Sequence, residues 1–300
     1  MRKQNKKHRK ARKHKAGPVA GEKRAGLENG GKQRKQKLAP NFTGQHLLHN
    51  PGTIGRLIDA ARLKKSDTVL ELGAGKGHLT FAIAERAGKV IAVEIDTGYV
   101  QMLRIKADGN PRILIVQEDI RVMRLPRGPF CVVANIPFSI TTPIMEKLLG
   151  QEGASFQRGA LIMENGAAAR FTQNPPRDPR VILWHMYFKL EKAAVVSRTH
   201  FAPPPRVDAA IVSIYRREKP LIMLGKEKLF LAFARHLLRE PRQISGYALR
   251  DIFTPEQLKR ILRKNGVDRE QSMISLSLEQ WAGLFTSMLE HDMPCRWPKR

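Results

Sequence analysis

Residues 68–80 read T-V-L-E-L-G-A-G-K-G-H-L-T, and they leave this chain few folds to choose from. An apolar run, 69–72, ends in three glycines, Gly73, Gly75 and Gly77. Leu79, Phe81, Ile83 and Ala84 follow at roughly helical spacing. The pattern predicts a buried parallel strand, a glycine turn and a helix start. Glycines there let backbone approach a ligand, and a nucleotide-like ligand lies across such a turn at the carboxyl end of the first strand. Twenty-one residues after Gly73, a second apolar run, 90–93, ends in Glu94. An acid at that distance can accept hydrogen bonds from both hydroxyls of a ribose. The ligand expected is an adenosine derivative.

The spacing of the glycines narrows the choice. A dinucleotide turn is G-x-G-x-x-G, with pyrophosphate on the helix N-terminus. Here it is G-x-G-x-G, and Glu71 stands on the strand just before it. A carboxylate repels a pyrophosphate and attracts a sulfonium or an amine. The pair favours S-adenosylmethionine over NAD. A βα turn whose glycines serve packing alone is the competing reading, and Glu94 counts against it.

The alternation of strand and helix continues along the chain. A helix capped by Thr53 is expected from Ile54, Leu57, Ile58 and Ala61. A helix over 99–107 is followed by a strand, 113–116, closed by Glu118 and Asp119. The strand 130–134 is closed by Asn135-Ile136-Pro137-Phe138, and a helix with Pro143 in its first turn runs to 149. A strand at 160–163 and a short helix at 166–171 come next. Ile182, Leu183, Met186, Phe188 and Leu190 read as a strand, as does 207–215. The segment F-A-P-P-P-R, 201–206, cannot be helix interior. Strands alternating with helices give an α/β fold, a doubly wound, Rossmann-like sheet with acidic or polar residues at successive strand ends. Past Lys219-Pro220 only helical spacing remains, at 229–238, 255–262 and 278–289. The division expected is a basic disordered tail over 1–40, a sheet domain over 41–216 and a small all-helical domain over 217–300.

Charge identifies the partner class. The formal net charge is +27. Residues 1–40 hold 15 Lys or Arg against 2 acids, so about half of the excess belongs to the rest of the chain. A basic tail on a basic body points to a polyanion, with nucleic acid ahead of an anionic membrane. The C-terminal helices add Arg235, Arg239, Arg242, Arg250, Lys259, Arg260, Arg263 and Lys264, a face expected to meet RNA. Cys131 and Cys295 form neither a disulfide framework nor a zinc spacing, and His46 and His49 have no Cys or paired carboxylate beside them, so no metal is expected. No apolar run approaches 18 residues, and no apolar segment follows the basic start. A cytoplasmic protein, working as a monomer away from membranes, is the plain expectation.

Asn135-Ile136-Pro137-Phe138 is where chemistry is expected. An exocyclic NH2 has two donors, which the Asn side-chain oxygen and a nearby backbone carbonyl can accept. Those bonds align the nitrogen lone pair on a methyl group, a positioning effect that needs no strong base. Pro137 fixes the local backbone, and Phe138 offers a face on which a base can stack. A paired or stacked base must first be extruded, or lie in a loop.

With these segments in view, the chain resembles the Erm-type ribosomal RNA adenine N6-methyltransferases, within the larger KsgA/Dim dimethylase superfamily. The resemblance covers about 41–297. It rests on N-F-T-G-Q-H-L-L-H-N, V-L-E-L-G-A-G-K-G-H-L-T, V-E-I-D, Q-E-D-I, N-I-P-F and F-A-P-P-P-R-V-D-A-A-I-V. It implies that Gly73, with Gly75 and Glu71 nearby, lines the methionine part of S-adenosylmethionine. It implies that Glu94 holds the ribose, Asp119 the adenine amino group, and Asn135 with Phe138 the target base. The family's cofactor-touching Asn and Leu fall here on His46 and Leu48. The His replaces the usual Asn, and Phe138 replaces the Tyr of many relatives, which keeps stacking and loses a phenol hydroxyl. The Erm type modifies one adenine in the peptidyl-transferase loop of large-subunit RNA, blocking macrolide, lincosamide and streptogramin B binding. The KsgA type dimethylates two adjacent adenines of small-subunit RNA. N-I-P-F and the basic tail favour the Erm type. A non-enzymatic RNA-binding factor and a DNA adenine methylase are the other readings; the intact glycine turn opposes the first, and Ile136 in place of a second Pro opposes the second.

Overall fold

Asn50 and Pro51 begin the first long helix of the structure. The Asn50 side chain accepts the Thr53 amide at 2.9 Å, and proline stands at the first helical position, where its missing N–H costs nothing. Thr53, expected as the cap, sits one turn inside and is buried, with its hydroxyl on the His200 ring at 2.8 Å. Asn50 takes the cap because only it precedes the proline with an oxygen in reach. This is a computed structural model that describes residues 46–240, 243–291 and 294–298. The expected basic tail, 1–40, lies outside the described residues.

In chain order the elements are β1 (Leu47–Leu48), α1 (Pro51–Ala61), β2 (Thr68–Leu72), α2 (His78–Ala84), β3 (Lys89–Glu94), α3 (Thr97–Lys106) and β4 (Ile113–Gln117). Then come β5 (Phe130–Asn135), α4 (Thr141–Leu149), β6 (Phe156–Glu164), α5 (Asn165–Thr172), α6 (Pro179–Tyr187), β7 (Phe188–Val196), β8 (Phe201–Ala202) and β9 (Ala209–Arg216). The C-terminal helices are α7 (Glu227–Leu237), α8 (Ser245–Ala248), α9 (Pro255–Lys264) and α10 (Leu278–Glu290).

Seven strands form one sheet in the order β4-β3-β2-β5-β6-β9-β7. The first five are parallel; β9 is antiparallel to β6 and β7 antiparallel to β9. The sheet order reverses between β2 and β5, the switch point where open α/β sheets bind ligands. This is the α/β, Rossmann-like class read from the sequence.

One expected strand is a helix. Residues 179–187 form α6, with Asp178 accepting the Arg180 amide at 2.8 Å and Pro179 in the first turn. The strand begins only at Phe188. Val181, Ile182, Trp184 and His185 are all buried, so a helix enclosed on most of its surface mimics a buried strand in a short apolar run. The two-residue ribbon β1–β8 was not visible in the sequence at all. It pairs Leu47 with Ala202 and Leu48 with Phe201.

Each face of the sheet has its own core. Leu57, Ile83 and Leu103 of α1, α2 and α3 pack with Val69, Val133 and Ile162 on one face. On the other, Leu70, Val132 and Leu161 share a cluster with Ile144, Phe171, Ile182 and the C-terminal helices. Capping boxes start α9 and α10: Thr254 with Gln257, and Ser277 with Gln280. Phe285 of α10 lies edge-on to Phe230 at 5.0 Å and 5.5 Å from Phe233. The described residues fall in one compact unit, and among them no helix is long and apolar enough to cross a membrane.

Phe285 is fully buried between those rings. Phe285→Ala is expected to lower unfolding free energy by about 3–5 kcal/mol in a denaturant titration, because a cavity adds to the lost transfer energy. A loss below about 1 kcal/mol would show that α10 contributes little to the shared core.

Candidate active site

The carboxyl ends of β2 and β3 make one half of the site. Gly73 and Ala74 both donate their amides to the Val93 carbonyl, at 2.9 and 3.0 Å, which draws the turn against β3. Gly75 has φ +52°, and a Cβ on it would come within 2.8 Å of Leu47 Cδ2. Its left-handed backbone disfavours a side chain there, and the Leu47 methyl lies against the turn.

Glu94 fixes this turn. It is 3% exposed. Its Oε2 accepts the Gly75 amide at 2.7 Å, and its Oε1 accepts the Ile95 and Asp96 amides at 2.9 Å each. A carboxylate offers about four acceptor positions. Backbone donors fill three of them, so about one is left for a ribose hydroxyl where the sequence suggested two. The acid therefore has a second task, holding the glycine turn in shape.

Glu71 sits beside it on β2 in a different state. It is 1% exposed, with Oε2 accepting from the Thr80 hydroxyl at 2.6 Å and Oε1 enclosed without a hydrogen-bond partner. Burial pushes its pKa up to about 8; the Thr80 hydrogen bond opposes this and the Glu94 charge adds to it. A buried acid with an orphaned oxygen suits a nearby cationic group, which would draw the proton off.

At the end of β4, Asp119 is clasped by Arg121. The guanidinium Nε lies 3.0 Å from each carboxylate oxygen, Nη2 is 2.6 Å from Oδ2, and the Arg121 amide is 2.9 Å from Oδ1. These Arg121 hydrogen bonds hold the carboxyl below its ordinary range. An adenine amino group on Asp119 would share the carboxylate with Arg121.

The other half of the site is the end of β5, next to β2 in the sheet. Asn135 donates its side-chain NH2 to the His46 carbonyl at 2.7 Å. Only the NH2 can meet a carbonyl, so Oδ1 turns the other way, available as an acceptor. Ile136 is buried and donates its amide to the Ile162 carbonyl at 3.3 Å. Pro137, at φ −56°, leads into a turn closed by Ile140 N on the Pro137 carbonyl at 3.1 Å. Phe138 is half-buried, with its ring centroid 5.8 Å from that of His46 and tilted 45°.

The ribbon β1–β8 joins the two halves. His46 holds Asn135 through its backbone, and its ring Nδ1 lies 2.8 Å from the Pro203 carbonyl, beside Phe138 on the acceptor side. The Leu48 side chain is buried in the core, and its carbonyl meets His78 Nδ1 at 3.1 Å. Leu47, not singled out from the sequence, is the residue against the glycine turn. Thr80, Arg121, His78 and Pro203 were missed as well. Arg121, two positions from Asp119, had a readable local signal; the others meet their partners only through the fold. Among the described residues, no three His, Cys, Asp or Glu side chains converge as a metal site.

The raised pKa of Glu71 has a measurable sign. The folded chain keeps a proton that the unfolded chain, at the ordinary value of 4.5, releases. Its contribution to stability is therefore whole below about pH 4.5 and is lost as pH rises toward 8. Glu71→Gln has no such proton to lose. Its stability relative to the parent should rise across that window, by on the order of 1.4 kcal/mol per pH unit at most, and then level off. A difference that does not change with pH would place Glu71 in a solvated setting.

Comparison with known proteins bears on this arrangement. Residues 37–290 match the ribosomal RNA adenine dimethylase family. An rRNA adenine N-6-methyltransferase of Bacillus licheniformis is 40% identical over 269 residues, 90% of this chain and 94% of the relative. A ribosomal RNA small subunit methyltransferase A of Geobacter metallireducens is 29% identical over 259 residues, 82% of this chain and 94% of the relative. The crystal structure of the 23S rRNA methyltransferase ErmE matches with a TM-score of 0.73 at 28% identity, covering 81% of this chain and 99% of that one. The family match spans the glycine turn, the end of β5 and the C-terminal helices alike, and the chain belongs to the ribosomal RNA adenine dimethylase family.

Proposed function

We infer that this chain transfers methyl groups from S-adenosylmethionine to the exocyclic N6 of one adenine in the peptidyl-transferase loop of 23S ribosomal RNA. The observation that most supports the reading is the Asn135 amide. It stands one strand from the glycine turn, with its NH2 tied to the His46 carbonyl and its oxygen directed elsewhere. That oxygen can accept one N6 hydrogen and align the nitrogen lone pair. When bound, S-adenosylmethionine supplies a methyl group activated by its sulfonium. The Gly73–Gly75 turn and Glu94 would hold its adenosine and methionine parts, Asp119 its adenine amino group, and Glu71 would face its cationic end. Phe138 supplies a face for the target base, and the proton lost from N6 passes to solvent.

The likeness to the 23S rRNA methyltransferase ErmE, with a TM-score of 0.73 at 28% identity, supports the large-subunit target. Methylation there gives macrolide, lincosamide and streptogramin B resistance. In this reading the part over 41–216 binds cofactor and target base. The helices after 217 offer RNA phosphates the exposed Arg235, Arg239, Arg250, Lys259 and Arg263.

Phe138 tests the acceptor half. Phe138→Tyr keeps the π-face and should retain most methylation of a target-loop RNA. Phe138→Ala removes stacking of about 1–3 kcal/mol per base, a roughly 10–100-fold fall in kcat/KM with cofactor affinity little changed. Normal methylation by an alanine variant that merely melts earlier would make Phe138 a packing residue. Primer extension on both ribosomal RNAs should stop in the large-subunit loop; a stop in small-subunit RNA alone would reassign the target.

A further inference from the structure

At the end of β6, one strand beyond Asn135, the molecule has a second opening. Its volume is about 560 Å³, and its walls include Glu164, Asn165, Gly166, Arg198, Arg206 and Asp208. That size is within the roughly 300–1,000 Å³ of small-ligand sites. We propose that this pocket receives the ribonucleotide adjacent to the target adenosine, with phosphate toward Arg198 and Arg206 and hydroxyl or amino donors toward Glu164. The proposal rests on the methyltransferase reading given above.

Position is the first argument. Asn135 of β5 pairs with Ile162 of β6, and Glu164, two residues further, pairs with Ala209 of β9. Neighbouring strands lie about 4.8 Å apart. Along the upper rim of the sheet the order is therefore Glu94, glycine turn, Asn135, pocket. The cofactor half occupies the β2–β3 side, so a polynucleotide that presents a base at Asn135 has the β6–β9 side open to its next residue.

The pocket is built by specific ties. Asp208 accepts the Asn165 amide on its carbonyl and the Arg198 amide on its Oδ1, both at 3.0 Å. One residue thus joins the start of α5 to the loop after β7. Val196 pairs with Ala209 immediately beneath.

Charge chooses the occupant. Arg198 and Arg206 are exposed, and among the described residues neither guanidinium has a carboxylate partner. Opposite them stands the half-buried Glu164. A bare anion would meet the Glu164 carboxylate, and a cation would meet two guanidiniums. A ribonucleotide brings both kinds of group, a phosphodiester for the arginines and donors for the carboxylate.

The test uses the full chain and a target-loop RNA. The double variant Arg198→Gln/Arg206→Gln should raise KM on the order of tenfold or more. Its kcat should stay within about twofold, with cofactor Kd and Tm unchanged. Loss of that one phosphate contact should flatten the slope of log K against log salt by about 0.7, the value per single-strand phosphate. With the unaltered protein, an RNA made abasic at the neighbouring nucleotide should lose affinity on one side of the target. That loss should shrink in the double variant, because a nucleotide no longer held by its phosphate seats its base less in the pocket. A KM within twofold of the parent in the double variant, or equal tolerance of abasic positions on both sides, overturns the pocket and leaves the methyltransferase reading standing. Failure of the unaltered protein to methylate any ribosomal RNA overturns the functional reading itself.

Discussion

Three backbone amides converge on the buried Glu94 carboxylate, and the active end of the sheet is arranged around that contact. Hydrogen bonds to a charged acceptor contribute about 1.5–3 kcal/mol each, more than neutral ones. One of the three comes from Gly75 across the glycine turn, and two come from the chain leaving β3. The turn is thus held from its far side, which frees its near side for a ligand. Glu71 is close enough to feel the Glu94 charge, yet it has one hydroxyl donor where Glu94 has three amides. Two buried acids on adjacent strands consequently differ in state: one clamped as an acceptor, the other favouring its proton until a cation arrives.

The ribbon β1–β8 extends this order to the acceptor half. Its two paired residues place Leu47 on Gly75, while the adjoining His46 gives its carbonyl to Asn135 and its ring to the Pro203 carbonyl. A shift of the ribbon would move the cofactor turn and the Asn135 amide together. The glycine turn and the end of β5 are therefore coupled through packing. Placement of the Asn135 amide oxygen depends on a backbone carbonyl 89 residues away in the chain.

What the sequence made legible was local. Three glycines after an apolar run, an acid 21 residues on and a polar strand end at Asn135 each announce themselves within a short window. The seven-stranded sheet follows from that periodicity. Long-range pairing left no such trace: Leu47 and Leu48 meet residues more than 150 positions away, and a two-residue strand has no period to detect. The same limit hid the loss of acceptor capacity at Glu94, because its amide partners are backbone groups common to every residue. Helix α6 was misread for a different reason. A short helix buried on most sides and a buried strand show the same apolar run, and the Asp178-Pro179 start was the discriminating signal.

The central claim is that Glu94 shapes an adenosine-binding turn, and calorimetric titration of S-adenosylmethionine into the parent protein and a folded Glu94→Gln variant tests it most directly. Glutamine keeps the side chain's length while replacing one acceptor oxygen with a donor facing a backbone amide. The account predicts at least about a tenfold weaker Kd, from one or more charge-assisted hydrogen bonds of roughly 1.5–3 kcal/mol. An unchanged Kd in a variant that melts like the parent would contradict it.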